Sequence, residues 1–229
     1  RAGDRIFLLG YSRGAYAVRS LAGVIDRVGL VRADHATVRN VTQAYRHYRD
    51  LTDPTAFAAA YCHGQASIEM VGVFDTVKAL GLHAPVLWRY SQPAHAFHNH
   101  DLGPTTRNGF HALALEETRR AYEPVLWRST PEFPGILKQM WFRGTHGDIG
   151  GQLQGHADCR PLANIPLTWM LENAVMCALP LPDDWRNRFP TDPNAPSIGN
   201  TRGWGKLFLS RARRTVGQDP SEAIHPTAR

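Results

Sequence analysis

Apolar and polar positions alternate along the chain in blocks that suggest strands and helices in turn. Arg5-Ile6-Phe7-Leu8-Leu9 is a short apolar run closed by Gly10, the pattern of a strand buried in a parallel sheet. Ala15 to Gly23 follows at helical spacing, with Ala15, Val18, Leu21 and Ala22 on one side. Thr37 to Arg49 predicts an amphipathic helix with a stripe of Val38, Val41, Tyr45 and Tyr48. Ile68 to Phe74 reads as the next strand and ends in Asp75. His111 to Tyr122 reads as a helix stopped by Pro124, and Leu137 to Phe142 as a strand running into Arg143-Gly144-Thr145-His146. Ile165 to Ala178 is a helix with Pro166 in its first turn. Such alternation argues an α/β fold, a mostly parallel sheet flanked by helices, over residues 1–229 as one unit. Two excursions or lids, at about 82–109 and 179–204, interrupt the pattern. A basic, polar tail at 210–229 reads as loosely ordered.

Composition narrows the reading only a little. The 229 residues carry a net charge of +6, spread along the chain, which favours anionic surfaces weakly. No run of about 18 apolar residues occurs, so no membrane-spanning helix is expected. The three cysteines, Cys62, Cys159 and Cys177, show no paired spacing and are expected to be buried free thiols. Neither a phosphate-binding G-x-x-x-x-G-K-S/T loop nor a G-x-G-x-x-G turn is present, so nucleotide chemistry has no support and no nucleic-acid partner is expected. His98-Asn99-His100-Asp101 looks like half of a metal site but lacks the terminal histidine, so no metal is assigned.

The informative motif is Gly10-Tyr11-Ser12-Arg13-Gly14, a G-x-S-x-G pattern between an expected strand and an expected helix. In that context the serine sits on a sharp strand-to-helix turn, and side chains at Gly10 and Gly14 would crowd it. Ser12 is then the candidate nucleophile, and the backbone N–H of Arg13 an oxyanion donor at a helix N-terminus. A hydroxyl needs a base oriented by an acid, in the order serine, acid, histidine, each at the C-terminal end of a strand. Asp75 and His146 fit that order, with Asp148 a rival acid for orienting His146.

Several segments together resemble one family, the bacterial α/β-hydrolases that include type 1 lipase effectors of type VI secretion and many uncharacterised relatives. They are Gly10 to Ala15 with Val18 to Gly23, Gly72 to Val77, His111 to Leu115 with Glu117 and Arg119, Trp141 to Gly151, and Ile224-His225-Pro226 with Arg229. The resemblance implies a partial α/β-hydrolase fold, with Ser12 as nucleophile, Asp75 as acid, His146 as base and no cofactor. It implies cleavage of carboxylic esters, phospholipids first, with small soluble esters or a non-catalytic binding module as alternatives. Trp88, Tyr90 and Phe97 are candidates for a lipid-facing wall. Expected partners are an ester or lipid substrate, a transient membrane contact and an immunity protein. Residence in the producer's cytoplasm, or export without a signal peptide, fits the same reading. The family has further strands before the segment that begins here, and the second oxyanion donor comes from them. The isolated chain is therefore expected to be a weak catalyst.

Overall fold

The computed structural model describes residues 3–64, 66–77, 101–201 and 209–228. Trp88, Tyr90 and Phe97, and His98 to His100, lie outside the described residues. Among the described residues, five strands form one sheet in sequential order, and every pairing between them is parallel. They are β1 (Ile6–Tyr11), β2 (Ile68–Phe74), β3 (Asn108–Ala114), β4 (Ile136–Phe142) and β5 (Glu222–Ile224). The helices are α1 (Arg13–Val28), α2 (Val38–Arg49), α3 (Thr55–Tyr61), α4 (His146–Gly150) and α5 (Arg160–Met176).

Side chains alternate across β2 and divide the core between the two faces of the sheet. Met70 joins Phe110, Ala112, Phe142, Trp169 and Met170 on the α5 face. Val71 and Val73 join Ala15, Ala22, Ile25 and Trp127 on the α1 face. Arg19 ties α1 down further, since its buried guanidinium donates to the Val125 carbonyl and lies over the Trp127 ring. Cys62, Cys159 and Cys177 are buried, with free thiols. None of the described helices is long and apolar enough to cross a membrane.

Three expectations from the sequence need correction. His111 to Tyr122 is not a helix: its first four residues belong to strand β3, and only Arg120–Tyr122 makes a 3-10 turn. Strand β3 is buried on both faces, so its sequence lacks the alternation that separates strand from helix. The stripe on α2 is only partly used, for Tyr48 is buried whereas Val38 is 86% and Val41 52% exposed. Residues 179–201 lie outside the sheet and are mostly exposed, anchored by buried Trp185, Ala195 and Ile198 and by Arg143, which bonds the Pro193 and Ala195 carbonyls. The basic tail contributes strand β5, whose Glu222 accepts the Trp141 indole N–H at 2.7 Å.

Candidate active site

Strand β1 ends at Tyr11 and α1 begins at Arg13, so the chain reverses direction over one residue. That residue, Ser12, has φ 58° and ψ −122°, a left-handed conformation costly for any side chain. The Ser12 N–H donates to the Phe74 carbonyl at 2.9 Å, which fastens the turn to the end of β2. Gly10 is needed sterically, because a Cβ there would lie 2.6 Å from the Gly14 carbonyl oxygen. Gly14 is different, since a Cβ there would meet nothing within 4 Å, so the expected crowding at that position is absent. Arg13 opens α1, and its N–H belongs to the first helical turn, where amides have no carbonyl partner within the helix.

Strand β2 delivers Asp75 one step past its last residue, again with positive φ, at 43°. Strand β4 leads through Arg143-Gly144-Thr145 to His146, the first residue of α4. The three side chains meet in one hydrogen-bonded line. His146 Nδ1 lies 2.6 Å from Asp75 Oδ2, and His146 Nε2 lies 2.9 Å from Ser12 Oγ. An ionised carboxylate only accepts, so Nδ1 carries the proton and Nε2 faces the Ser12 hydroxyl as acceptor. Asp148, the rival acid, is occupied elsewhere. Its carboxylate accepts from Thr145 N–H at 2.7 Å, Thr145 Oγ at 2.9 Å, Ser197 Oγ at 2.6 Å and Ile198 N–H at 2.9 Å.

The imidazole is held on both sides. The Tyr11 and Tyr122 rings each sit with centroids 4.7 Å from it, and Tyr11 Oη donates to the His146 carbonyl at 3.1 Å. Buried Glu117 accepts the His146 N–H at 3.3 Å and is itself forked by Arg119, at 2.8 and 2.6 Å. Burial pushes the Glu117 carboxyl up, but the Arg119 bonds outweigh it and leave the net shift downward.

Asp75 is fully buried, which by itself pushes its carboxyl up. The Arg214 guanidinium and the His146 hydrogen bond outweigh that and hold it well below the usual carboxylate range. Arg214 reaches the carboxylate from the chain's last stretch and bonds both oxygens, at 2.6 and 2.9 Å.

Residues 1–173 match the family model described as the type VI secretion phospholipase effector, Tle1-like, catalytic domain. The chain belongs to this family. It is also 26% identical over 150 residues to an uncharacterized protein of Saccharomyces cerevisiae (strain ATCC 204508 / S288c), covering 59% of this chain. The chain spans about 20% of that relative's length. No solved structure matches.

Within this Tle1-like chain, Ser12, Asp75 and His146 all lie inside the matched stretch, whereas Arg214 lies beyond it. Arg214 was hidden in sequence as one arginine of a basic tail. His111 was hidden at the start of a stretch expected to be helical. It sits under the acid's turn, where the Thr76 N–H donates to His111 Nε2 at 3.1 Å. His111 Nδ1 therefore carries the proton and faces Gln139 Oε1, whose amide also bonds both backbone groups of Trp127. Among the described residues no cluster of three or more His, Cys, Asp or Glu could hold a metal ion.

Burial, and then the positive charge of Arg19, push His111 down to about 3. An unfolded histidine titrates near 6.5, so between those values the unfolded chain binds a proton that the fold refuses. His111 thus stabilises the fold fully above that upper value, and its contribution is lost as pH falls towards the lower one. Unfolding free energies from urea titrations between about pH 6 and pH 4 should fall for the native chain by on the order of 1.4 kcal/mol per unit more than for His111→Gln. Parallel slopes would mean that His111 is protonated in the fold.

Proposed function

We propose that this chain is a serine esterase that cleaves the carboxylic ester bonds of phospholipids through an acyl-enzyme. The unbroken line from Ser12 through His146 to Asp75 carries the reading, in a chain whose family is described as a phospholipase catalytic domain. Ser12 Oγ attacks the ester carbonyl as its proton passes to His146 Nε2. Asp75 holds the imidazole tautomer and stabilises the imidazolium. The Arg13 N–H faces the developing oxyanion at the positive end of α1. The carbon–alkoxy bond then breaks, and the leaving alcohol takes the proton back from His146. Water repeats the sequence on the acyl-serine and frees the fatty acid. No step calls for a metal or an organic cofactor.

The net charge of +6 suits an anionic bilayer as the source of substrate. Export through a type VI apparatus, transient contact with a membrane surface and neutralisation by an immunity protein belong to the same reading. The test uses vesicles of phosphatidylglycerol and phosphatidylethanolamine together with a fluorophosphonate. The expected result is release of fatty acid, loss of that release after labelling, and a single adduct that peptide mapping places on Ser12. A chain that releases no fatty acid and takes no label at Ser12 would refute the proposal.

A further inference from the structure

The segment that carries Arg214 is laid along the site in a defined way. Arg211 bridges Arg119 in antiparallel fashion, Ala212 N–H donates to the Thr118 carbonyl at 2.8 Å, and Arg120 N–H donates to the Ser210 carbonyl at 3.1 Å. This strap runs beside the connection from β3 to β4 and then hands the chain on to β5. Between the two, the Arg214 side chain is 5% exposed. Nη1 donates to Asp75 Oδ1 at 2.6 Å and to the Ala114 carbonyl at 2.8 Å. Nη2 donates to Asp75 Oδ2 at 2.9 Å and to the Tyr122 carbonyl. Two backbone carbonyls thus fix the guanidinium plane, and the fixed plane fixes the carboxylate. With Ala114 N–H at 3.0 Å and His146 Nδ1 at 2.6 Å, both carboxylate oxygens are fully engaged.

The geometry points to Arg214 as a positioning residue for the Ser12–His146–Asp75 line, one that locks the acid's rotation and shares its charge. The inference rests on the esterase reading above and adds a residue that positions its acid. An imidazole beside a lone buried carboxylate gains a proton easily, because the pair becomes neutral on protonation. Beside a carboxylate already paired with a guanidinium, the same proton leaves the cluster with a net positive charge. Arg214 therefore shares the Asp75 charge that would otherwise face the imidazole alone.

The remaining groups around His146 do not supply this effect. Ser12 and Tyr11 face it from the end of β1, Tyr122 from the other side, and Asp148 is bonded within its own loop. Glu117 touches its backbone but is paired with Arg119. Neutral His111 lies beneath the Asp75 turn. Among the described residues, Arg214 is the cation in contact with Asp75.

The test compares Arg214→Met and Arg214→Lys in the whole chain, by kcat on a soluble ester across pH and by NMR titration of the His146 ring. Arg214→Met should lose about 10- to 100-fold in kcat, as the carboxylate turns away from the imidazole. Its acid limb and the His146 midpoint should both move up by about one pH unit. Arg214→Lys keeps the charge but cannot span two oxygens, so it should lose about 10-fold in kcat while its acid limb stays put. A folded Arg214→Met whose acid limb and His146 midpoint do not move overturns the inference, as does Arg214→Lys with native kcat. Should Arg214→Met fail to fold, Arg214→Lys decides alone: reduced kcat on an unmoved acid limb supports the inference, and native kcat or a shifted limb overturns it. A native chain that neither hydrolyses the ester nor takes a fluorophosphonate defeats the esterase reading instead. The ring titration then still judges the clamp, with a raised midpoint in Arg214→Met for it and an unmoved one against it.

Discussion

Asp75→Asn is expected to lower kcat by about 10,000-fold and to destabilise the fold by about 3–5 kcal/mol. Both losses have one cause, the donors that converge on this side chain. Asp75 Oδ1 accepts from Ala114 N–H and Arg214 Nη1, and Oδ2 accepts from His146 Nδ1 and Arg214 Nη2. An asparagine has one acceptor oxygen and one amino group that only donates. If its oxygen faces His146, the amino group is driven against Ala114 N–H and Arg214. If it turns over, the imidazole must accept at Nδ1 and carry its proton on Nε2, where it cannot receive the Ser12 proton. Either orientation also leaves the buried Arg214 without its counter-charge, and breaking a buried pair from one side costs far more than the pair's net worth. Ester turnover gives the first number and urea unfolding the second. Native stability with reduced turnover would show that Arg214 does not depend on the carboxylate charge.

What the sequence disclosed, and what it concealed, follows from how local each signal is. The turn from β1 into α1 was legible because a sharp strand-to-helix turn packs its whole geometry into adjacent residues, from the apolar run to Gly10 and the following helix. The meeting of Asp75 and His146 was legible because each follows an apolar run that feeds the same rim of a parallel sheet. Strand β3 was not, because a strand covered on both faces has neither a helical nor an alternating period, and Pro124 then suggested a helix end. Strand β5 is only three residues long, too short for any period to register. The exposed apolar positions of α2 show the opposite failure: a clean stripe predicts the helix but not how much of the stripe is covered. Arg214 was beyond reach in a different sense. It meets Asp75 across a separation of 139 residues, and an arginine that clamps a buried carboxylate looks, in sequence, like any arginine in a basic tail. Composition can count such charges but cannot say which of them is inside.

The two glycines of the elbow motif separate packing from pattern, because the fold gives them opposite prospects. A Cβ on Gly10 would lie 2.6 Å from the Gly14 carbonyl oxygen and 2.8 Å from both the N and Cα of Ala15. All of these are backbone atoms of α1, so no side chain can turn aside to make room. The helix would have to lift from β1, and Ser12, which sits between them, would move with it. Gly10→Ala should therefore destabilise the fold by about 3 kcal/mol or more. It should also cost about 100-fold in ester turnover through a displacement of Ser12 of roughly 1 Å. Gly14 is exposed, lies inside the first turn of α1 and has open space where a methyl would go. Gly14→Ala removes backbone freedom from the unfolded chain at no steric cost, and is expected to stabilise the fold by about 0.4–1 kcal/mol. Denaturant midpoints of the two variants should thus move in opposite directions. A common downward shift would mean that Gly14 is held in place by a close neighbour after all, and that the elbow needs both of its glycines for the same steric reason.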